Sequence, residues 1–348
     1  MTKEPVEIMT AAFQAFMSEL IDYAGLFPPA QLDLDPALRN YLRYRTEPDR
    51  WMLGRFIISA AQLAELASYR DDLRAADDKP VRFAVLVGGG AADSEATALA
   101  KLRAEAALIR DFQAHHGPAV KVEVLETRLP DEVATSSEAE RTRVFLQAWQ
   151  PILAAADLAH LTLYVEIAAA LDQPQRVSGA IADLAGIGDF TDSGQTPAHA
   201  AAQPPITRWG LKLRCGGVEP KAIPAPDQIA LVIDECRQQG VPLKCTAGLH
   251  HPVRHLATDI GAMSHGFFNV FGAGLLANAR SLSREAIVRC LLDEDASQFR
   301  FTDAGFSWGR ETLTAAEVAA VRREAMISFG SCSFDEPRED LRAFGLLA

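Results

Sequence analysis

The 348-residue chain is poor in cysteine, in basic residues and in long apolar runs. Its five cysteines, Cys215, Cys236, Cys245, Cys290 and Cys332, are odd in number, and no two have C-x-x-C spacing. That argues against a disulfide framework and a cysteine-built zinc site. Reduced thiols in a cytoplasmic protein are the expectation. Lys and Arg total 34 against 46 Asp and Glu, a formal charge of −12. Nucleic acid is therefore not the expected partner, since phosphate binding needs clustered cations. No stretch comes near the roughly 18 apolar residues of a membrane span, so no membrane partner is expected either. The N-terminal MTKEPVEIMTAAFQAFMSEL carries acids and lacks the apolar core of a secretory signal. Neither GxGxxG nor GxxxxGK[ST] follows the first predicted strand. That weakens the nucleotide-binding, doubly wound folds, and no cofactor is implied.

What is present is a βα rhythm. With 49% apolar and 23% charged residues the chain has the composition of a globular protein with a large core. Strands are predicted at Leu20–Leu26, Arg55–Ala60, Arg82–Val87, Lys121–Thr127, Leu161–Ile167, Gly210–Cys215, Pro242–Thr246 and Gly266–Phe271. Helical patterns occupy Ala61–Ala75, Ala92–His115, Ser137–Ala156, Gln173–Ala185, Asp227–Gln239 and Pro252–Met263. Strands alternating with helices imply parallel strands joined by right-handed crossovers. Eight such units predict a (β/α)8 TIM barrel. On this reading residues 1–19 form an N-terminal helix, 20–290 the barrel and 291–348 a C-terminal extension. Asp189–Thr207, rich in Pro, Ala, Ser and Thr, reads as a long loop. The extension opens with a hairpin around Asp303-Ala304-Gly305. A helix over Thr314–Ile327 follows, with Thr314 and Glu317 as a capping box.

Chemistry in such a barrel gathers at the C-terminal strand ends. The sixth predicted strand reads GLKLRCGG and the seventh PLKCTAGLHHPVR. Alternation directs Lys212 and Arg214 inward, and Lys244 with Thr246 likewise, while Cys215 and Cys245 turn away. Two interior lysines on adjacent strands are costly to bury. One reading is that each depresses the other's pKa, so that Lys212 forms a Schiff base. The other is that carboxylates such as Glu123 or Glu166 neutralise them. On the fourth strand either Glu123 or Glu126 faces inward, and alternation alone leaves the choice open. Gly216, Gly217 and Gly248 would let backbone approach a ligand, and Gly88–Gly90 read as an ordinary turn. His250, His251 and Arg254 suit an anionic group, and Asn269 is a further candidate for substrate contact. Asp22, Tyr23 and the Leu26–Pro29 turn are lesser pocket candidates. His251 and His255, four apart, could instead hold a metal with a barrel carboxylate.

GLKLRCGG and PLKCTAG resemble the lysine-bearing sixth and seventh strands of the deoxyribose-phosphate aldolase family, class I aldolases on a (β/α)8 barrel. Lys212 matches the imine-forming lysine of that family's KTSTG-like motif. Lys244, 32 residues on, matches the lysine that perturbs it. LTLYVEI resembles the family's fifth strand and carries Glu166. VEVL resembles its VDVV and would give Glu123 the place of the catalytic aspartate. LIDYAGLFPPA is loosely similar to its first strand. The sequence departs from the pattern at Arg214, where the family has a small hydroxylated residue, and at TAGLHHP, which replaces a GG-x-R loop. What the resemblance implies is a lyase acting on a small carbonyl compound, with Lys212, Lys244, Glu123 and Glu166 catalytic. A small-molecule substrate and an assembly of identical copies fit this reading. A metal-dependent hydrolase or isomerase, and a non-catalytic binding module, are the alternatives.

Overall fold

The computed structural model describes residues 9–75, 79–187 and 208–348. Seven strands come first along the chain: β1 (Ile21–Tyr23), β2 (Leu53–Ser59), β3 (Val81–Leu86), β4 (Val120–Arg128), β5 (Thr162–Glu166), β6 (Trp209–Arg214) and β7 (Leu243–Thr246). Five short strands follow: β8 (His255–Ala257), β9 (Ala262–Ser264), β10 (Phe299–Phe301), β11 (Phe306–Trp308) and β12 (Glu311–Leu313). The last is β13 (Met326–Ser331). Eight of them form a closed barrel in the order β1-β13-β7-β6-β5-β4-β3-β2. With the intervening helices this is the predicted (β/α)8 TIM barrel.

The eighth barrel strand is not where the sequence suggested. Gly266–Phe271 is the start of a helix, Phe267–Arg280, in which Phe267 through Ala277 are all buried. A helix buried on every side shows the same unbroken apolar run as an interior strand, so periodicity cannot separate them. The closing strand is β13, which pairs in parallel with β1 through Ile21–Phe329, Asp22–Gly330 and Tyr23–Ser331. It comes from the segment read as an extension. The helix predicted over Pro252–Met263 is instead the antiparallel hairpin β8–β9. Gly261, at φ +70°, supports its turn, a backbone state open to glycine.

The hairpin around Asp303–Gly305 is present as β10–β11, with β12 as a third strand. The helix after it runs Ala315–Glu324 and begins with the capping box of Thr314 and Glu317. The N-terminal helix is Ala11–Met17. Ser137–Ala156 divides into the helices Arg141–Gln147 and Gln150–Ala155. The loop predicted at Asp189–Thr207 lies outside the described residues.

The chain divides into two compact units. One takes in residues 1–54, 215–234 and 245–348. Its core holds Phe13, Phe16, Phe268, Phe301 and Phe306, several of them edge-to-face at about 5 Å, the geometry aromatic quadrupoles favour. The guanidinium of Arg322, 7% exposed, donates to the carbonyls of Phe16 (2.9 Å), Ser18 (3.1 Å), Met326 and Ile327. A buried cation is tolerable there because backbone oxygens replace its water.

The other unit comprises residues 55–214 and 235–244. Its core stacks Phe56, Phe83 and Phe112 edge-to-face. Gly88, at φ +84°, leaves room for the ring of Trp149, which a Cβ there would strike.

Candidate active site

The site is built on four strands of the second unit. β4, β5 and β6 run in parallel register. Glu126 lies opposite Tyr164, and Arg128 opposite Glu166. Tyr164 lies opposite Gly210, and Glu166 opposite Lys212. Residues in register on parallel strands, and residues two apart on one strand, project to the same face. Glu126, Glu166, Lys212 and Arg214 therefore share a face, and Lys244 of β7 reaches the same carboxylate. Beneath Lys212, Gly210 gives its side-chain space to Tyr164, whose ring a Cβ would meet at 2.5 Å.

The choice left open on the fourth strand is resolved in favour of Glu126. The β3–β4 pairing steps from Phe83–Val122 to Ala84–Val124, so Glu123 is the extra residue of a bulge. A bulge re-aims the side chains around it, and simple alternation fails there. Glu123, matched to a catalytic aspartate in the sequence, is held elsewhere. Arg55 (3.0 Å), Arg82 (2.9 Å) and Lys121 (3.1 Å) surround it. Burial acts to raise its carboxyl, but Arg82 and Arg55 hold it below the ordinary value.

Glu126, wholly buried, bridges the two lysines. Lys212 Nζ is 2.8 Å from Oε2 and Lys244 Nζ 3.3 Å from Oε1. Lys212 also lies 3.5 Å from Glu166, whose other oxygen accepts from Arg214 Nε at 3.2 Å. Lys212, Lys244 and Arg214 thus share the carboxylates of Glu126 and Glu166. Burial would push the Lys212 amine down, but Glu126 and Glu166 outweigh it and hold the amine above its ordinary value. Burial likewise acts to raise Glu166, and Lys212 and Arg214 override it, keeping the carboxyl low. For Lys212 this is opposite to the depression anticipated from sequence, because the carboxylates beside it outweigh burial. Access grades outward through the cluster. The Lys244 side chain is 1% exposed, Lys212 7% and Arg214 38%.

The remaining sequence candidates lie in the first unit, and neighbouring protein groups engage them. Gly216 and Gly248 pack backbone to backbone, so that a Cβ on either would sit within 2.7 Å of the other's Cα. Gly248 is also left-handed, at φ +73°. A Cβ on Gly217 would meet Ala222. His250 Nδ1 pairs with Glu336 at 2.9 Å and His251 Nδ1 with Asp340 at 2.6 Å. Arg254 lies 3.7 Å from Glu294. Asn269 sits on the buried helix, not on a strand. Its carbonyl accepts from Arg254 N, and its amide donates to the carbonyls of Cys290 and Asp293, each at 2.8 Å. Asp22 accepts from the Ser328 hydroxyl at 2.7 Å. The rings of His251 and His255 are 4.3 Å apart. Among the described residues no group of three His, Cys, Asp or Glu side chains is arranged to hold a metal. Sequence reasoning missed Glu336 and Asp340 altogether. They lie 86 and 89 residues from their histidine partners, and no local pattern marks them.

No protein-family model and no curated protein matches the chain. Among solved structures it is similar to deoxyribose phosphate aldolase from Aeropyrum pernix, described as tetrameric. The match has 10% identity and a TM-score of 0.49, covering 95% of this chain and 93% of that one. The barrel assignment stands on the strand order itself and takes nothing from that likeness.

Proposed function

We propose that the chain is an aldolase-type lyase in which Lys212 forms an imine with a small carbonyl compound bearing an anionic group. The observation that carries this reading is the Lys212–Glu126–Lys244 bridge. A protonated lysine is no nucleophile, but Glu126 stands 2.8 Å from it as a proton acceptor. Transfer of one proton to Glu126 as the carbonyl carbon is presented frees the amine lone pair for attack. The amine attacks the carbonyl carbon, and Glu126 returns the proton as water departs. The cationic imine then draws electrons from the adjacent bond. Lys244 shares the Glu126 carboxylate from the other side, and the exposed part of Arg214 meets the substrate's anion. Lys212 is assigned the covalent role because it is the more accessible of the two lysines.

The reading includes a small-molecule substrate and a cytoplasmic setting. That none of the five cysteines forms a disulfide supports that setting. Among the described residues no helix is long and apolar enough to cross a membrane. A second reading, a non-catalytic barrel, has one observation in its favour: Glu126 and Glu166 already satisfy the lysines, as in a purely structural ion cluster.

Borohydride reduction in the presence of a panel of small aldehydes and keto acids separates the two. The expected result is a mass adduct on Lys212 that disappears in Lys212→Met. Adducts that persist in that variant remove Lys212 from the role. No adduct on the folded protein across the panel favours the non-catalytic barrel.

A further inference from the structure

The first unit contains a second cluster that this function does not use. Cys332 directly follows β13, at the C-terminal end of a barrel strand, where reactive groups of this fold gather. The loop after β7 turns through two left-handed residues, Ala247 (φ +58°) and Gly248 (φ +73°), and delivers His250 and His251. The helix Asp335–Ala343 answers with Glu336 and Asp340, one turn apart on one face. Each histidine is thereby held through Nδ1 by a carboxylate. The Ser333 hydroxyl accepts from the backbone N–H of Glu336 at 3.1 Å and fixes the start of that helix. With Nδ1 bound to Glu336, the Nε2 of His250 faces Cys332 Sγ at 4.0 Å.

This is the order nucleophile, base, orienting acid that activates a thiol, and such bonds are often long before a substrate tightens them. Burial acts to lower the His250 pKa, but Cys332 and Glu336 outweigh it and carry it to about 10. Cys332 is the most accessible of the five cysteines, at 8%. Cys290 shows the contrast: fully buried, with its sulfur 3.8 Å from the Asn269 carbonyl, its thiol is pushed well up by burial.

We propose that Cys332, His250 and Glu336 form a nucleophilic thiol site that accepts an acyl group from a small activated ester or thioester. The reacting form is the Cys332 thiolate paired with the protonated Nε2 of His250, and its Sγ attacks the acyl carbon. A C–S bond forms as the bond to the leaving group breaks, and the leaving group takes the proton from Nε2. The product is an S-acylated Cys332, and no oxidant or reductant is required.

The test is p-nitrophenyl acetate added to the full chain, followed by intact mass, peptide mapping and nitrophenol release. One acetyl group on Cys332 with one equivalent of nitrophenol is expected. His250→Gln should slow that step by roughly 10²-fold, the usual worth of a positioned base, and Glu336→Gln by less. Lys212→Met should leave it unchanged, which separates this proposal from the imine reading. Far-UV circular dichroism checks that the variants fold. Should His250→Gln not fold, the comparison is Cys332 in the folded parent against Cys332 in urea at the same pH. Folded Cys332 reacting no faster than unfolded, His250→Gln reacting as fast as the parent, or acetyl landing elsewhere would each overturn the proposal.

Discussion

Two charged clusters, one in each unit, are built on opposite plans. The lysine cluster sits on barrel strands and has its bridging carboxylate wholly buried. The histidine cluster joins a loop to a surface helix, and its acids are exposed: the Glu336 side chain is 51% accessible and that of Asp340 33%. In the first, removing Glu126 takes the shared carboxylate from two lysines that are almost wholly buried. In the second, water can replace what is removed. The lesson is that similar ion-pair distances represent different energies, because desolvation and not distance sets the cost.

The sharpest way to break that comparison is the imine test, in which Lys212→Met should lose borohydride trapping completely. Next in size is stability. Glu126→Leu leaves two buried ammonium groups sharing no bridge, and urea denaturation should show a loss of about 3–5 kcal/mol. Glu123→Leu, whose three cations all reach solvent, should cost about 1 kcal/mol. Equal losses for the two would mean that Glu126 is not the buried keystone its distances imply. Glu336→Gln in the exposed cluster should also cost about 1 kcal/mol.

The smallest effects are in pH dependence, and the two clusters should fail at opposite ends. His250 rises on folding from the ordinary 6.5 to about 10. Its stabilisation is therefore complete below the lower value and lost as pH climbs through the upper one. The stability gap between the parent and Glu336→Gln should close over that climb. Glu166 is depressed on folding from the ordinary 4.5. Its stabilisation holds above that value and fades as pH falls through the lowered one, and the gap to Glu166→Gln should close in acid. Urea midpoints measured across pH for the three proteins check both signs.

The barrel was legible because seven of its strands announce themselves as apolar runs between amphipathic helices. Lys212, Arg214 and Glu166 were legible for the same reason, since alternation along a strand tells inside from outside. Glu126 was hidden by one extra residue at the bulge, which no propensity marks. The helix Phe267–Arg280 was hidden by being buried on all sides, and with it the true closing strand, whose MISFGS carries two serines and a glycine. Asn269 was misplaced in consequence. The histidine partners were invisible because they are contacts across most of a hundred residues, settled by tertiary packing and not by spacing.

That closing strand has a consequence for how the molecule is made. β1 leaves the ribosome long before its partner β13, which ends at Ser331. At ordinary elongation rates the wait is about 15–60 s. Throughout it the first strand offers a bare edge, the kind of surface that recruits unwanted neighbours. Arg322, which ties the carbonyls beside the first strand to those of β13, arrives only just before β13 and cannot shield that edge earlier. A chain stalled or cut before Met326 would lack β13 and leave that edge of β1 unpaired, open to intermolecular strand pairing.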